Sequence, residues 1–135
     1  MVTTIKNLKE TTRFEQIGLI GELIVLQNLI DAGWEANRWL AMKDNSKFDF
    51  SIDGKNKIEV KTTTSQKRTH HFRQDQLINS DYNITVASVL IKENEKGDTI
   101  KSIWNEIISK NVELPQVIQQ RINEKIYMVE EPLEF

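Results

Sequence analysis

A chain of 135 residues without cysteine is long enough for one domain with its own core, but it has no disulfide framework and no thiolate metal site. An apolar fraction of 39% and a charged fraction of 28% are ordinary for a globular protein, and a net charge of −2 gives the whole chain no polycationic footprint. No signal peptide is evident and the missing cysteines permit a reducing compartment, so a cytoplasmic location is expected.

The first predicted element is a helix over 14–31. Its apolar residues (Phe14, Ile17, Leu19, Ile20, Leu23, Ile24, Leu26, Leu29 and Ile30) wrap most of the circumference, which implies burial on several sides. Gly21, Glu22, Gln27 and Asn28 interrupt the run, so it is a buried helix and not a membrane span. Gly18 and Gly21 lower helix propensity, and close approach of a neighbouring backbone is the expected compensation. Gly33 reads as the stop.

Three strands are expected next: a weak one over 35–42, then clear ones over 47–53 and 57–64. A short helix over 73–79 and an apolar strand over 84–92, long enough to be central, follow. A polar turn leads into an amphipathic helix over 99–110. Pro115 opens a further helix to about 125, and 126–129 is expected to close the chain as a last strand. No repeat or linker divides these elements.

The stretch Glu59-Val60-Lys61 carries the chemistry. Strand alternation puts Glu59 and Lys61 on one face and Ile58, Val60 and Thr62 on the other. Asp49, on the preceding strand, shares the Glu59 face only if opposed residue numbers have an even sum. A three-residue loop Gly54-Lys55-Asn56, with Asn56 left-handed, meets that condition. It pairs Asp53 with Lys57, Ser51 with Glu59 and Asp49 with Lys61, while Phe48, Phe50 and Ile52 point inward.

These residue types suit a hard divalent cation. Mg²⁺, for which Mn²⁺ is a plausible substitute, takes one or two carboxylates and fills its other positions with water and substrate phosphate. Asp49, Glu59 and the main-chain carbonyl of Val60 can supply protein oxygens. Lys61 can orient or deprotonate an attacking water, or stabilise charge on phosphate. Glu22, among Leu19, Val25, Leu26 and Leu29, needs a partner, and a metal-bound water is a natural one. Each residue also has a plainer role: Asp49 as an edge or turn acid, Glu59 and Lys61 as a same-face ion pair, Glu22 as a helix-rim acid reaching solvent.

Charge distribution adds a second signal. Between positions 55 and 73 stand six Lys or Arg against the single acid Glu59, together with His70 and His71. Lys67, Arg68, Arg73 and the histidines are therefore candidates for substrate contact, against the alternative of a solvated loop. Gln76, on the helix expected after the strands, is a candidate hydrogen-bonding partner in the site or a plain surface glutamine. Adjacent histidines in an extended segment point apart and make a poor chelating pair. Trp34, Trp39 and Trp104 read as core or partner contacts rather than stacking platforms.

A helix with Glu, a strand with Asp and then Glu-x-Lys resembles the PD-(D/E)XK nuclease superfamily. More narrowly, Glu15-Gln16-Ile17-Gly18-Leu19-Ile20-Gly21-Glu22-Leu23, Phe48-Asp49-Phe50, Ile58-Glu59-Val60-Lys61-Thr62-Thr63 and Arg68-x-His70-His71-Phe72-x-x-x-Gln76-Leu77 resemble a restriction-linked bacterial group of PD-(D/E)XK motif proteins. The resemblance runs from about 14 to 90. It implies an α/β, restriction-endonuclease-like α-β-β-β-α-β core, a mixed central sheet flanked by helices. It further implies Mg²⁺-dependent DNA cleavage in a restriction or phage-defence system, with Asp49, Glu59 and Lys61 at the centre and Glu22 assisting.

Two departures stand out: Phe48 rather than proline precedes Asp49, and Arg73 stands where the group tends to have serine. Members are typically longer on both sides, so the expectation for 1–135 is a single nuclease-like domain that is a short relative or a fragment. Expected partners are DNA and other restriction or defence subunits, with a homodimer as one way to cut both strands, and no membrane. A non-catalytic DNA-binding or assembly subunit of the same fold is the alternative, and RNA cleavage stays open.

Overall fold

The computed structural model describes residues 10–43, 47–64 and 83–135. It opens with the helix α1, Arg13–Asp31. The Thr12 hydroxyl accepts the Glu15 N–H at 3.1 Å, and Glu15 Oε1 accepts the Thr12 N–H at 3.5 Å. This capping box satisfies donors that the first helical turn cannot pair internally. Gly33, at φ +90°, ends the helix where the sequence places the stop. Then come a short helix α2 (Ala36–Trp39) and the strands β1 (Leu40–Met42), β2 (Phe48–Ser51), β3 (Asn56–Thr63) and β4 (Asn83–Leu90). The helices α3 (Ile100–Ser109) and α4 (Gln116–Tyr127) complete the order.

The strands form one mixed sheet in the order β1-β2-β3-β4, flanked by helices, an α/β arrangement consistent with a restriction-endonuclease-like core. β1–β2 and β2–β3 are antiparallel and β3–β4 is parallel. A parallel pair requires a crossover connection. The helix expected there, over 73–79, lies outside the described residues. β3 has partners on both sides. β4, expected to be central, is instead the last strand of the described sheet, and Val86 is 40% exposed.

Two further expectations are corrected. The weak strand over 35–42 winds its first half into α2, because Ala36 and Leu40, both buried, stand at helical spacing. The last strand over 126–129 does not form. Ile118, Ile122 and Ile126 continue one helical stripe, and α4 runs through Tyr127.

Leu19, Ile20, Leu23 and Leu26 of α1 are buried with Phe48 and Phe50 of β2, Ile103, Trp104 and Ile107 of α3, and Ile118 and Ile122 of α4. Phe14 departs from this pattern and is 86% exposed, and Ile52, expected inward, is also exposed. Gly21 is where α1 and β3 nearly touch: a Cβ there would stand 1.8 Å from Thr62 Oγ1. Gly18, expected to be equally tight, faces open space. Buried Gln16 accepts the Leu133 N–H at 2.6 Å and donates to the Glu131 carbonyl at 3.2 Å, tying the last residues to α1. No helix among the described residues is long and apolar enough to cross a membrane.

Candidate metal centre

The β2–β3 hairpin decides which side chains share a face. Phe50 is paired with Ile58 and Ser51 with Lys57, and the Ile52 N–H donates to the Asn56 carbonyl at 2.8 Å. The loop is therefore Asp53-Gly54-Lys55, one residue earlier than expected. Opposed pairs still have an even sum, so Asp49, Lys57, Glu59 and Lys61 share a face. The individual partners change: Ser51 rather than Asp53 faces Lys57, and continuing the register brings Asp49 level with Glu59 rather than Lys61.

Asp53 explains the shift. Its Oδ1 accepts the Lys55 and Asn56 N–H groups at 2.7 and 2.9 Å, and its Oδ2 accepts Asn56 Nδ2 at 2.9 Å. An Asx-type turn replaces the left-handed Asn56 that the longer register needed. Among the described residues the non-glycine positions with positive φ are Lys96 and Asn111. The Lys55 N–H, first, and the Asn56 donors lower the Asp53 pKa.

The paired part of β2 and β3 is short, and a cleft of about 210 Å³ opens beyond it beside α1. Glu22, Glu59, Val60 and Lys61 line it, with Lys47, Phe14, Ile17 and Gly18 among the other walls. Asp49 stands outside this lining. Its Oδ2 is held by Lys57 Nζ at 2.9 Å, with both side chains about one-quarter exposed.

Glu59 sits within a ring of ammonium groups. Lys43 Nζ is 3.4 Å from Oε2, while Lys47 Nζ and Lys61 Nζ are 3.6 and 3.7 Å from Oε1. Oε1 is buried and accepts no hydrogen bond. A buried carboxylate oxygen with cations nearby but no donor in contact carries an unmet electrostatic demand.

Glu22 finds a partner that sequence reasoning did not supply, the Phe48 N–H, whose hydrogen bond to Oε2 measures 3.1 Å. Burial pushes its pKa up to about 7, with the Glu59 charge adding to the rise. The Phe48 N–H and the charges of Lys47 and Lys125 oppose it. The Lys61 pKa is lowered, first by burial and then by the Lys47 charge, against the pull of Glu59.

The donor set can be weighed against a divalent cation. Among the described residues, no group of three or more acidic or histidine side chains is already drawn together for chelation. The chemistry nevertheless fits: Glu59 offers a buried oxygen without a donor, Asp49 shares its face, and both oxygen sets are hard. Ammonium groups neutralise these carboxylates in the structure.

Lys67, Arg68, His70, His71, Arg73 and Gln76 lie outside the described residues. Lys43, Lys47 and Lys57 were missed as site residues. Lys57 was readable, because alternation places it on the face of Glu59 and Lys61. Lys43 reaches Glu59 across β2 and Lys47 from the start of β2, through pairings that one strand's sequence does not reveal. Trp104 is buried and donates to Asn123 Oδ1 at 2.8 Å, and half-buried Trp34 donates to the Ser51 carbonyl at 3.1 Å.

Residues 5–129 match a family described as "Putative PD-(D/E)XK family member, (DUF4420)". Neither the curated proteins nor the solved structures provide a match.

Proposed function

The chain belongs to this DUF4420 family of PD-(D/E)XK proteins, and from that membership we propose that it is the core of a divalent-metal-dependent endonuclease that hydrolyses DNA. The observation that carries the reading is Glu59 Oε1, buried without a donor beside Lys61 and on the face that Asp49 shares. Asp49, Glu59 and the Val60 carbonyl would hold Mg²⁺, or Mn²⁺ in its place, with Glu22 assisting through water. When bound, the ion supplies Lewis-acid polarisation of the phosphodiester and a more acidic water.

Lys61 holds the key proton-transfer position. Its lowered pKa favours the neutral amine relative to an ordinary lysine, the form that accepts a proton from the attacking water. Water oxygen then bonds to phosphorus as the ester bond to the leaving nucleoside oxygen breaks, with no covalent enzyme intermediate. Glu22, poised near neutrality, can accept or donate a hydrogen bond at the cleft wall. Lys67, Arg68, His70, His71, Arg73 and Gln76 are proposed substrate contacts, and the domain is proposed to act in a cytoplasmic bacterial restriction or phage-defence system. Its proposed partners there are DNA, other defence subunits and a second copy of the chain.

The lysines on Asp49 and Glu59 favour one rival, a DNA-binding or assembly subunit that keeps the fold without catalysis. Supercoiled plasmid incubated with Mn²⁺ separates the two. The nuclease reading expects nicking by the unaltered protein and none by Glu59→Ala or Lys61→Ala. DNA binding that is salt-sensitive and survives Asp49→Ala, without nicking by any form, supports the rival.

A further inference from the structure

The β1–β2 hairpin extends the charged face beyond the predicted site. Met42 pairs with Phe48, and the Lys43 N–H donates to the Lys47 carbonyl at 2.9 Å. Lys43 and Lys47 are thus opposed, and strand alternation puts both on the side of Ala41 and Asp49. Both ammonium groups reach Glu59 on β3, at 3.4 and 3.6 Å, and both side chains remain 43% exposed.

Among the described strand residues, one sheet face therefore carries Lys43, Lys47, Lys57 and Lys61 against the carboxylates Asp49 and Glu59, an excess of cations in a chain whose net charge is −2. An excess of positive charge suits an anionic ligand. The Lys43 and Lys47 contacts to Glu59 are longer than a hydrogen-bonded ion pair at its best, and half-exposed pairs of this kind contribute little.

We propose that Lys43 and Lys47 are exchange cations: they neutralise Glu59 until a divalent metal ion takes it, and then bind the phosphodiester backbone of DNA. This rests on the nuclease reading above, because it needs Glu59 to be a metal ligand. The inference concerns how loading is coupled to substrate binding. The ion displaces two ammonium groups that stay on the same face, so the released lysines meet the arriving phosphates. DNA and metal affinities are then linked, each raising the other.

Two readouts without turnover test this. Mn²⁺ is titrated calorimetrically into the unaltered protein, Lys43→Gln, Lys47→Gln and the double variant, with Glu59→Gln as the control. Removing a competing ammonium should tighten Mn²⁺ binding by roughly two- to fivefold per lysine, the scale of an exposed ion pair. Anisotropy of a fluorescein-labelled duplex with hydrolysis-resistant phosphorothioate linkages is then measured with and without Mn²⁺. The gain in DNA affinity on adding Mn²⁺ should shrink in each variant, and the salt slope should fall by about one per lysine.

Unchanged or weaker Mn²⁺ binding in the lysine variants overturns the exchange, as does an undiminished DNA gain. If the unaltered protein binds no Mn²⁺, or Glu59→Gln binds it as well, the nuclease reading fails together with the exchange. The single variants keep the test usable should the double variant fail to fold.

Discussion

Glu22 accepts a hydrogen bond from the backbone N–H of Phe48, the residue immediately before Asp49. One contact at 3.1 Å links the first helix to the strand that bears a proposed metal ligand, across 26 positions of sequence. The helix thus helps position β2 as well as contributing an acid to the cleft.

Burial of that acid has a pH signature. The folded-state pKa of Glu22, about 7, lies above its ordinary value of 4.5. A raised carboxyl pKa means that the folded state binds the proton more tightly. Its contribution is fully present below about pH 4.5 and is lost as pH rises through 7. At about 1.4 kcal/mol per unit, the loss is on the order of 2–3 kcal/mol after allowance for partial exposure. Urea unfolding from pH 5 to 8 should show this decline in the unaltered protein and a much shallower one in Glu22→Gln. Parallel curves would refute the assignment.

Gly18 and Gly21 should respond oppositely to alanine. Gly18 faces open space in a helix, so Gly18→Ala should raise stability by about 0.5–1 kcal/mol. Gly21→Ala would drive a methyl into Thr62, whose Oγ1, Cβ and Cγ2 stand 1.8, 2.9 and 2.9 Å from the new atom. No rotamer of a β-branched neighbour relieves all three, and a loss of roughly 1–3 kcal/mol is expected. Thermal unfolding of the two variants checks the sign of each.

Gln16 should prove structurally costly to replace. It is 2% exposed, accepts the Leu133 N–H at 2.6 Å and donates to the Glu131 carbonyl at 3.2 Å. Gln16→Leu leaves that N–H unpaired beside a buried leucine, at a cost of about 1–3 kcal/mol. Denaturant melts should show the loss, with faster amide exchange at Leu133 and the residues after it. An unchanged midpoint would mean that the C-terminal tie carries little stability.

The sequence was most legible where one element carries its own period. α1 follows from the spacing of Leu19, Ile20, Leu23 and Leu26, and β3 from the alternation around Val60. The common face of Asp49 and Glu59 was legible only as a condition on the loop, which had to be odd, and the pairing of Ser51 with Lys57 meets it. The detailed register was not legible, because the Asp53 side chain closes the loop through three hydrogen bonds that compete with a left-handed Asn56. Ala36 illustrates a different limit: a short apolar spacing fits strand or helix, and packing with Leu40 chose the helix. Phe14 fits the stripe yet lies exposed at the helix start, beside the cleft. The lysines of the β1–β2 hairpin became part of the site only through cross-strand pairing, which no local window contains.

The proposed site requires Asp49 and Glu59 to hold one divalent cation together. A double-mutant cycle in Mn²⁺ binding, with Asp49→Asn, Glu59→Gln and both together, measures that coupling. One Mn²⁺ should bind the unaltered chain, and either single change should remove nearly as much affinity as the pair. Binding energies that add independently, or an unaltered chain that takes up no Mn²⁺, would contradict it.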